Sequence, residues 1–330
     1  MKRTPVALTG LLMIALAGCG PRGDVAGPLG AGRELLTVDF EKGRTLAYKF
    51  ASSRDITIGW DTSVTTPRPG GRTDDKFSES MEVVMLYRAT DVNHYGLTTI
   101  EATCKSVRVS RSKGSRKDAV QSLAGRTFTL AVGPTGRIED YSQLDKLLKQ
   151  IGEEAFRPET DRGRIKEPDM IGDFVAWQWF LWDAISSIER PSEGVKAGQS
   201  WKSKLSVPTP MVMRKARDVT YRLSEIRPTA NGRLAVIGSS YQQADSVPRS
   251  WPIPYWGSFQ MAGPFGFYRN YKILSLHGQG EELFNIDAGR TERYKQQYEL
   301  QLSASLLLPL PGASPRITID QSLTMELLDD

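Results

Sequence analysis

Most of the chain alternates between apolar and polar residues with a period of two. The stretches YKQQYELQLSASL, from Tyr294, and ITIDQSLTMEL, from Ile317, show this alternation near the C-terminus. A period of two places the apolar side chains on one face of a strand, and sheets with one buried and one wet face are antiparallel. The pattern predicts a mainly β (α+β) protein built from antiparallel sheets, curved in the manner of a half-barrel.

The pattern also recurs in the two halves of the chain. A glycine followed by a short alternating strand comes first, a polar turn with a glycine comes next, and a strand–glycine–arginine element comes third. The three pairs are Gly43–Phe50 with Gly198–Leu205, Gly96 with Gly232, and Phe128–Ile138 with Leu283–Thr291. We therefore predict two related tandem β modules, at residues 34–142 and 195–330.

A helical period replaces the alternation between the two modules. Leu144, Leu147, Leu148 and Ile151 have helical spacing, with Ser142 as the expected N-cap. A second helix is predicted from Asp169 to Ile188, through the stretch FVAWQWFLWDAI. We assign residues 143–194 to a helical insertion.

The second predicted helix has a wide apolar face that includes Trp179 and Trp182. Asp173, Gln178 and Asp183 interrupt the apolar run, so it does not reach the length of a bilayer span. Aromatic stripes at helical spacing usually belong to a core, and this favours a helix packed between the two modules. The alternative is that part of the face lines a cavity or contacts lipid.

A second aromatic cluster extends from Ser250 to Tyr271 and contains several prolines and glycines. Such a segment is either a lid folded onto a core or a binding surface. The candidate ligand-binding residues of the chain are therefore Trp179, Trp182, Trp256 and Phe259.

The N-terminus has the features of a secretory signal. Lys2 and Arg3 precede a short apolar run that ends in Leu16-Ala17-Gly18-Cys19, which resembles the lipobox of bacterial lipoproteins. The resemblance implies cleavage after residue 18 and acylation of Cys19, for example with palmitate. Two or three acyl chains anchor a protein stably. Residues 19–33, rich in glycine and proline, are predicted to form a flexible tether.

Gly20 follows the cysteine in place of the aspartate that retains enteric lipoproteins at the inner membrane. This favours the periplasmic side of the outer membrane, with the outer leaflet of the inner membrane as the alternative. The net charge is +5, and loss of Lys2 and Arg3 leaves +3. This mild excess is not typical of a nucleic-acid-binding protein.

Candidate catalytic and metal-ligating residues are sparse. His94 and His277 are the two histidines, both expected near turns, and no pair of residues has metal-ligand spacing. Cys104 is expected to be a small buried side chain in a strand. Glu281 and Glu282 lie among other charges and are expected to be solvated. We expect no metal and no cofactor.

The segment IERPSEGVKAGQSWKSKLSVP resembles a motif of a family of uncharacterised bacterial secreted proteins and lipoproteins. A proline-containing segment leads there to a Val-x-x-Gly-x-x-Trp strand, which Val195, Gly198 and Trp201 match here. The resemblance implies a β-rich envelope protein and carries over no catalytic residue.

These observations predict a lipid-anchored envelope protein with a non-catalytic binding or scaffold role. Its partners would be the membrane, reached through the N-terminal lipid, and an apolar ligand or another envelope protein. A purely structural role in envelope assembly and a periplasmic hydrolase are the alternatives.

Overall fold

The structure is a computed structural model that describes residues 32–60, 74–112, 118–155, 170–209, 215–247, 268–306 and 315–328. The first half holds strands β1–β6: Arg33–Glu34, Thr45–Trp60, Asp74–Val92, Thr98–Arg111, Thr127–Val132 and Ile138–Asp140. Helices α1–α3 follow at Ser142–Ala155, Ile171–Phe180 and Asp183–Ser186. The second half holds β7–β13: Val195–Lys196, Ser200–Ser206, Ala216–Thr229, Gly232–Gln243, Tyr268–Asn285, Arg290–Leu306 and Pro315–Leu328.

The long strands form one antiparallel sheet of eleven strands. Its order is β6-β5-β4-β3-β2-β13-β12-β11-β10-β9-β8, and β1 pairs separately with β7. The first and last long strands meet in the middle, where Ile56 of β2 pairs with Ile319 of β13. The predicted fold class is confirmed. The long strands of both predicted modules lie in this single sheet, which does not close into a barrel within the described residues.

Alternation along the strands gives the sheet a buried inner face and a wet outer face. On β9, Val219, Tyr221 and Leu223 are buried, whereas Thr220 and Arg222 between them are exposed. The helices cover the inner face: the ring of Trp177 stacks on Phe50 of β2 at a centroid distance of 5.2 Å. The core therefore lies between the inner face and the helical insertion.

The predicted length of the second helix is wrong. A single helix from Asp169 to Ile188 was expected, but α2 ends at Phe180 and α3 starts at Asp183. Trp182, between them, has φ −128° and ψ 3°. The break turns α3 toward β8, where the indole of Trp201 donates to the carbonyl of Ala184 at 2.8 Å. Ser142 is the first residue of α1 rather than its N-cap.

The α2 residues expected to interrupt its apolar face are themselves buried. Asp173 and Gln178 have no exposed surface. Gln178 accepts a hydrogen bond from the Tyr87 hydroxyl at 2.8 Å. No helix in the described part of the chain is long and apolar enough to span a membrane.

A short extended segment crosses one end of the sheet. Residues 36–40, here called the N-terminal strap, bond to turns in both halves. The Val38 N–H donates to the Pro134 carbonyl at 3.0 Å, and the Asp39 N–H donates to the Gly289 carbonyl at 2.9 Å. The strap therefore links the β5–β6 turn to the β11–β12 turn over the inner face.

Candidate functional site

Trp182 and Trp179, both expected to bind ligand, lie in different surroundings. Trp182 is buried, with its ring edge-on to Phe40 at 5.9 Å and to Tyr87 at 6.0 Å. Trp179 is half-buried and packs edge-on against Tyr141 at 5.4 Å. The structure thus does not bring these two tryptophans into one site. Trp256, Phe259 and Cys19 lie outside the described residues.

A cavity of about 130 Å³ adjoins Trp182 at the strap end of the sheet. Its aromatic walls come from Phe40 of the strap, Tyr48 of β2, Tyr87 of β3 and Trp182. These side chains come together because β2 and β3 pair directly, and the α2–α3 break turns Trp182 toward them.

Smaller apolar side chains complete the wall of the cavity, and charged residues form its rim. The apolar side chains are Val38, Leu46, Ala89 and Ile100. The rim carries Asp39, Glu41, Arg44, Asp287 and Arg290. Arg44 and Glu41 form an ion pair at 3.7 Å whose members are both largely exposed. The site therefore combines an aromatic interior with a polar opening.

Two glycines allow the strap to lie close over the cavity. Gly136 has φ 81°, and a Cβ atom there would lie 2.8 Å from Val38 Cγ2 and 2.9 Å from Trp182 Cβ. Gly289 has φ 58°, and a Cβ atom there would lie 2.5 Å from the Asp39 backbone nitrogen. Both positions need a left-handed backbone and the absence of a side chain.

A buried ionic cluster fixes the start of α2 on the sheet. Arg54 Nε donates to Glu79 at 2.6 Å, and Arg54 Nη1 donates to Asp173 at 3.0 Å. Arg111 in turn donates to Glu79 at 3.0 Å and to Asp118. Arg54 and Arg111 thus each have two carboxylate partners, which offset the cost of burying their charge. The cluster positions the start of α2, and Arg54 Nη2 is its buried donor without a hydrogen-bond partner.

Two further acidic side chains lie apart from this cluster, the half-buried Asp183 of α3 and the buried Glu282 of β11. Asp183 accepts from the Tyr221 hydroxyl at 2.7 Å and from Ser203 at 2.9 Å, and burial raises its pKa to about 6. Burial likewise raises the pKa of Glu282 to about 8. The expectation that Glu282 is solvated is wrong: its side chain is 1% exposed, because its position on β11 faces the core. Its neighbour Glu281 is exposed.

The remaining candidate residues are dispersed. Cys104 is buried on β4, as predicted, and burial raises the pKa of its thiol to about 12. His277 lies within β11 rather than in a turn, on the outer face, with its Nε2 4.0 Å from Glu299. Among the described residues, no group of three or more histidine, cysteine, aspartate or glutamate side chains could hold a metal ion.

The burial of Arg54, Asp173 and Arg217 was not predicted from the sequence. The burial of Arg54 could have been predicted, because alternate residues of a strand share a face. Arg54 therefore lies on the same buried face of β2 as Ser52 and Ile56. Asp173 carried no comparable signal, because an aspartate on a helix is usually exposed.

No protein family model and no curated protein matches the chain. A solved structure titled "Lipid-protein interactions in lipovitellin" is similar at a TM-score of 0.46 and 10% sequence identity. The similarity covers 88% of this chain and 26% of that chain, so the chain spans about a quarter of the other's length. At this TM-score the similarity carries no argument about function.

Proposed function

We propose that the chain is a lipid-anchored protein of the bacterial cell envelope that binds an apolar ligand without converting it chemically. The observation that carries the proposal is the cavity between the strap, β2, β3 and Trp182, with its four aromatic walls. Binding sites for small molecules are concave and mostly apolar, with a few polar groups at the opening. This cavity fits that description on a small scale.

The size of the cavity limits the ligand. A cavity of about 150 Å³ lined by apolar side chains binds benzene. The cavity here, at about 130 Å³, takes a group of one aromatic ring or the end of an acyl chain. Edge-on contacts with aromatic rings add to the hydrophobic gain. The bound molecule would place its apolar end beside Trp182 and its remaining part at the charged rim.

The position of the cavity favours the membrane as the source of the ligand. The strap that covers it begins 17 residues after Cys19, a stretch that spans at most about 60 Å. If Cys19 carries lipid, the cavity stays within reach of the membrane surface. The outer membrane is the proposed location, with the inner membrane's outer leaflet as the alternative.

The anchor is tested by the substitution Cys19→Ser. We expect the variant to leave the membrane fraction and appear in the soluble fraction, because it lacks the sulfur that carries the lipid. Cell fractionation measures this, and Cys104→Ser is the matched control that should stay with the membrane. A Cys19→Ser variant that remains in the membrane would rule out the anchor.

Binding in the cavity is tested with fluorobenzene as a ring-sized probe. The full chain in lipid nanodiscs should bind it saturably in ¹⁹F NMR, with empty nanodiscs as the blank. Ala89→Leu places three more carbons in the cavity and should weaken binding at least tenfold. Trp179→Phe and Ala51→Leu, which leave the cavity lining unchanged, should bind like the wild type. Equal binding by the Ala89→Leu variant would contradict the proposed site.

A further inference from the structure

Arg217 is a fully buried arginine on the inner face of β9. Its Nη2 donates to Gln296 Oε1 on β12 at 2.6 Å, so the side chain extends past the two strands between β9 and β12. The guanidinium lies 4.3 Å from the ring centroid of Tyr241, 4.8 Å from Tyr298 and 5.0 Å from Phe180. It is held among three aromatic rings.

Two glycines on β11 provide the space for this arrangement. A Cβ atom at Gly280 would lie 2.4 Å from the Tyr241 hydroxyl oxygen. A Cβ atom at Gly278 would lie 2.5 Å from Tyr298 Cβ. A larger residue at either position would displace a ring that contacts Arg217. The local sequence of β11 therefore preserves the space around this one cation.

Arg217 differs from the other buried arginines in its charge balance. Arg54 and Arg111 each have two carboxylate partners. No ion pair of Arg217 exists within the described residues. Burial raises the pKa of Asp183 and the charge of Arg217 partly offsets this rise, but Asp183 and Glu282 both bond to hydroxyl groups rather than to the guanidinium. Burying a cation without a bonded anion is unfavourable, because the charge loses its hydration.

The unpaired groups around Arg217 share one chemical character. Arg217 Nε, Arg217 Nη1 and Gln296 Nε2 are buried donors without a hydrogen-bond partner. The orientation of the Gln296 amide is set by its oxygen, which accepts from both Arg217 and Tyr294. These three buried donors therefore lack an acceptor, and within the described residues no carboxylate is bonded to the guanidinium of Arg217.

We infer that Arg217 and Gln296 form a binding site for an oxyanion, namely a carboxylate or a phosphate group. This inference is independent of the cavity at Trp182. The guanidinium neutralises the anion, and charge-assisted hydrogen bonds to oxyanions are the strong ones. Aromatic rings on three sides keep the local dielectric low, which strengthens the attraction. The anion is either a free small ion or the acidic head of an amphiphile.

The test measures the thermal stability of the full chain in lipid nanodiscs with added anions. Acetate and inorganic phosphate represent free ions, whereas decanoate and decyl phosphate carry the same groups on an apolar tail. At an anion concentration about a hundredfold above Kd, the wild-type melting temperature should rise by about 4 °C. Phosphate also stabilises proteins in general, so the informative quantity is the difference between wild type and variant.

Two variants with matched controls complete the test. Gln296→Glu supplies a carboxylate beside Arg217, so the variant should be more stable without added anion and should lose the anion response. Gln297→Glu, the exposed neighbour, should respond like the wild type. Arg217→Met should lose the response, and Arg222→Met on the outer face should keep it.

The outcomes separate the possible anions and can overturn the inference. A response to acetate or phosphate identifies a free ion, and a response only to the tailed anions identifies an amphiphile. The inference is wrong if no anion stabilises the wild type. It is also wrong if the Gln296→Glu variant responds as the wild type does.

Discussion

Two buried ionisable residues, Arg54 and Glu282, are accommodated in different ways. Arg54 stays charged and is matched by two carboxylates. Glu282 has no cationic partner within the described residues, and its Oε2 has no hydrogen-bond partner. The Thr291 hydroxyl lies 2.7 Å from Glu282 Oε1 and 3.2 Å from the Leu181 carbonyl oxygen. A hydroxyl has one hydrogen, so both contacts are complete only when the carboxyl is protonated and donates to Thr291.

This protonation makes stability depend on pH. The pKa of Glu282 rises from 4.5 to about 8 on folding, so the folded state binds more protons between these values. The free energy of unfolding should therefore fall as pH rises through this range, by at most about 1.4 kcal/mol per pH unit. Asp183 contributes in the same sense only up to a pH of about 6.

The interval from pH 6 to 8 isolates the effect of Glu282. Urea unfolding of the Glu282→Gln variant should show a weaker loss of stability across this interval, because glutamine stays neutral and still donates to Thr291. Glu281→Gln, the exposed neighbour, is the control and should follow the wild type. An unchanged pH profile in the Glu282→Gln variant would show that Glu282 is ionised in the folded protein.

At the scale of elements, the N-terminal strap and the α2–α3 break together form the cavity. The strap contributes Phe40 and Val38, and the break contributes Trp182. Both depend on the tight β5–β6 turn, where Gly136 lies against Val38 and Trp182. The site is therefore sensitive to small changes at a residue that contributes no side chain.

This dependence predicts a difference between two glycine substitutions. Gly125 and Gly136 have similar positive φ values, 78° and 81°, but a Cβ at Gly125 meets nothing within 4 Å. Gly125→Ala should cost about 1–2 kcal/mol for the left-handed backbone. Gly136→Ala should cost about 1–3 kcal/mol more, because its Cβ overpacks the strap and Trp182.

Urea unfolding of the two alanine variants gives the comparison. The Gly136→Ala variant should also lose affinity for fluorobenzene, since the strap must shift away from Trp182. Equal destabilisation by the two substitutions would mean that the strap does not pack on Gly136 in solution.

The element boundaries show what the sequence could reveal at this scale. Strand periodicity predicted β12 and β13, because a period of two follows from one buried face. The α2–α3 break was missed because no glycine or proline marks it. It results from contacts with distant strands, such as the bond from Trp201 to Ala184. The aromatic spacing around Trp179 and Trp182 likewise could not show which of them faces the cavity.

At the scale of the whole molecule, β2 and β13 join the two halves into one sheet. Their pairing extends from Ala47–Leu328 to Trp60–Pro315, between residues far apart in sequence. The repeated pattern indicated two modules, but pairing between distant strands leaves no local signature. The boundaries of those modules stay a prediction, and so do the signal peptide and the tether.

The sheet also determines where the two candidate sites lie. The aromatic cavity lies beside the strap and draws on β2, β3 and the β11–β12 turn, whereas Arg217 lies within the second half. The C-terminal end of α2 lies near both sites, because Phe180 contacts Arg217 and Trp182 follows two residues later.

The most direct measurement is native mass spectrometry of the full chain released from its own membranes, comparing the wild type with Ala89→Leu. The wild type should retain an apolar compound of defined mass that survives release, and Ala89→Leu should have lost it. Binding in the cavity beside Trp182 would be contradicted if the wild-type chain is detected without any bound compound. It would also be contradicted if the Ala89→Leu variant retains the same compound.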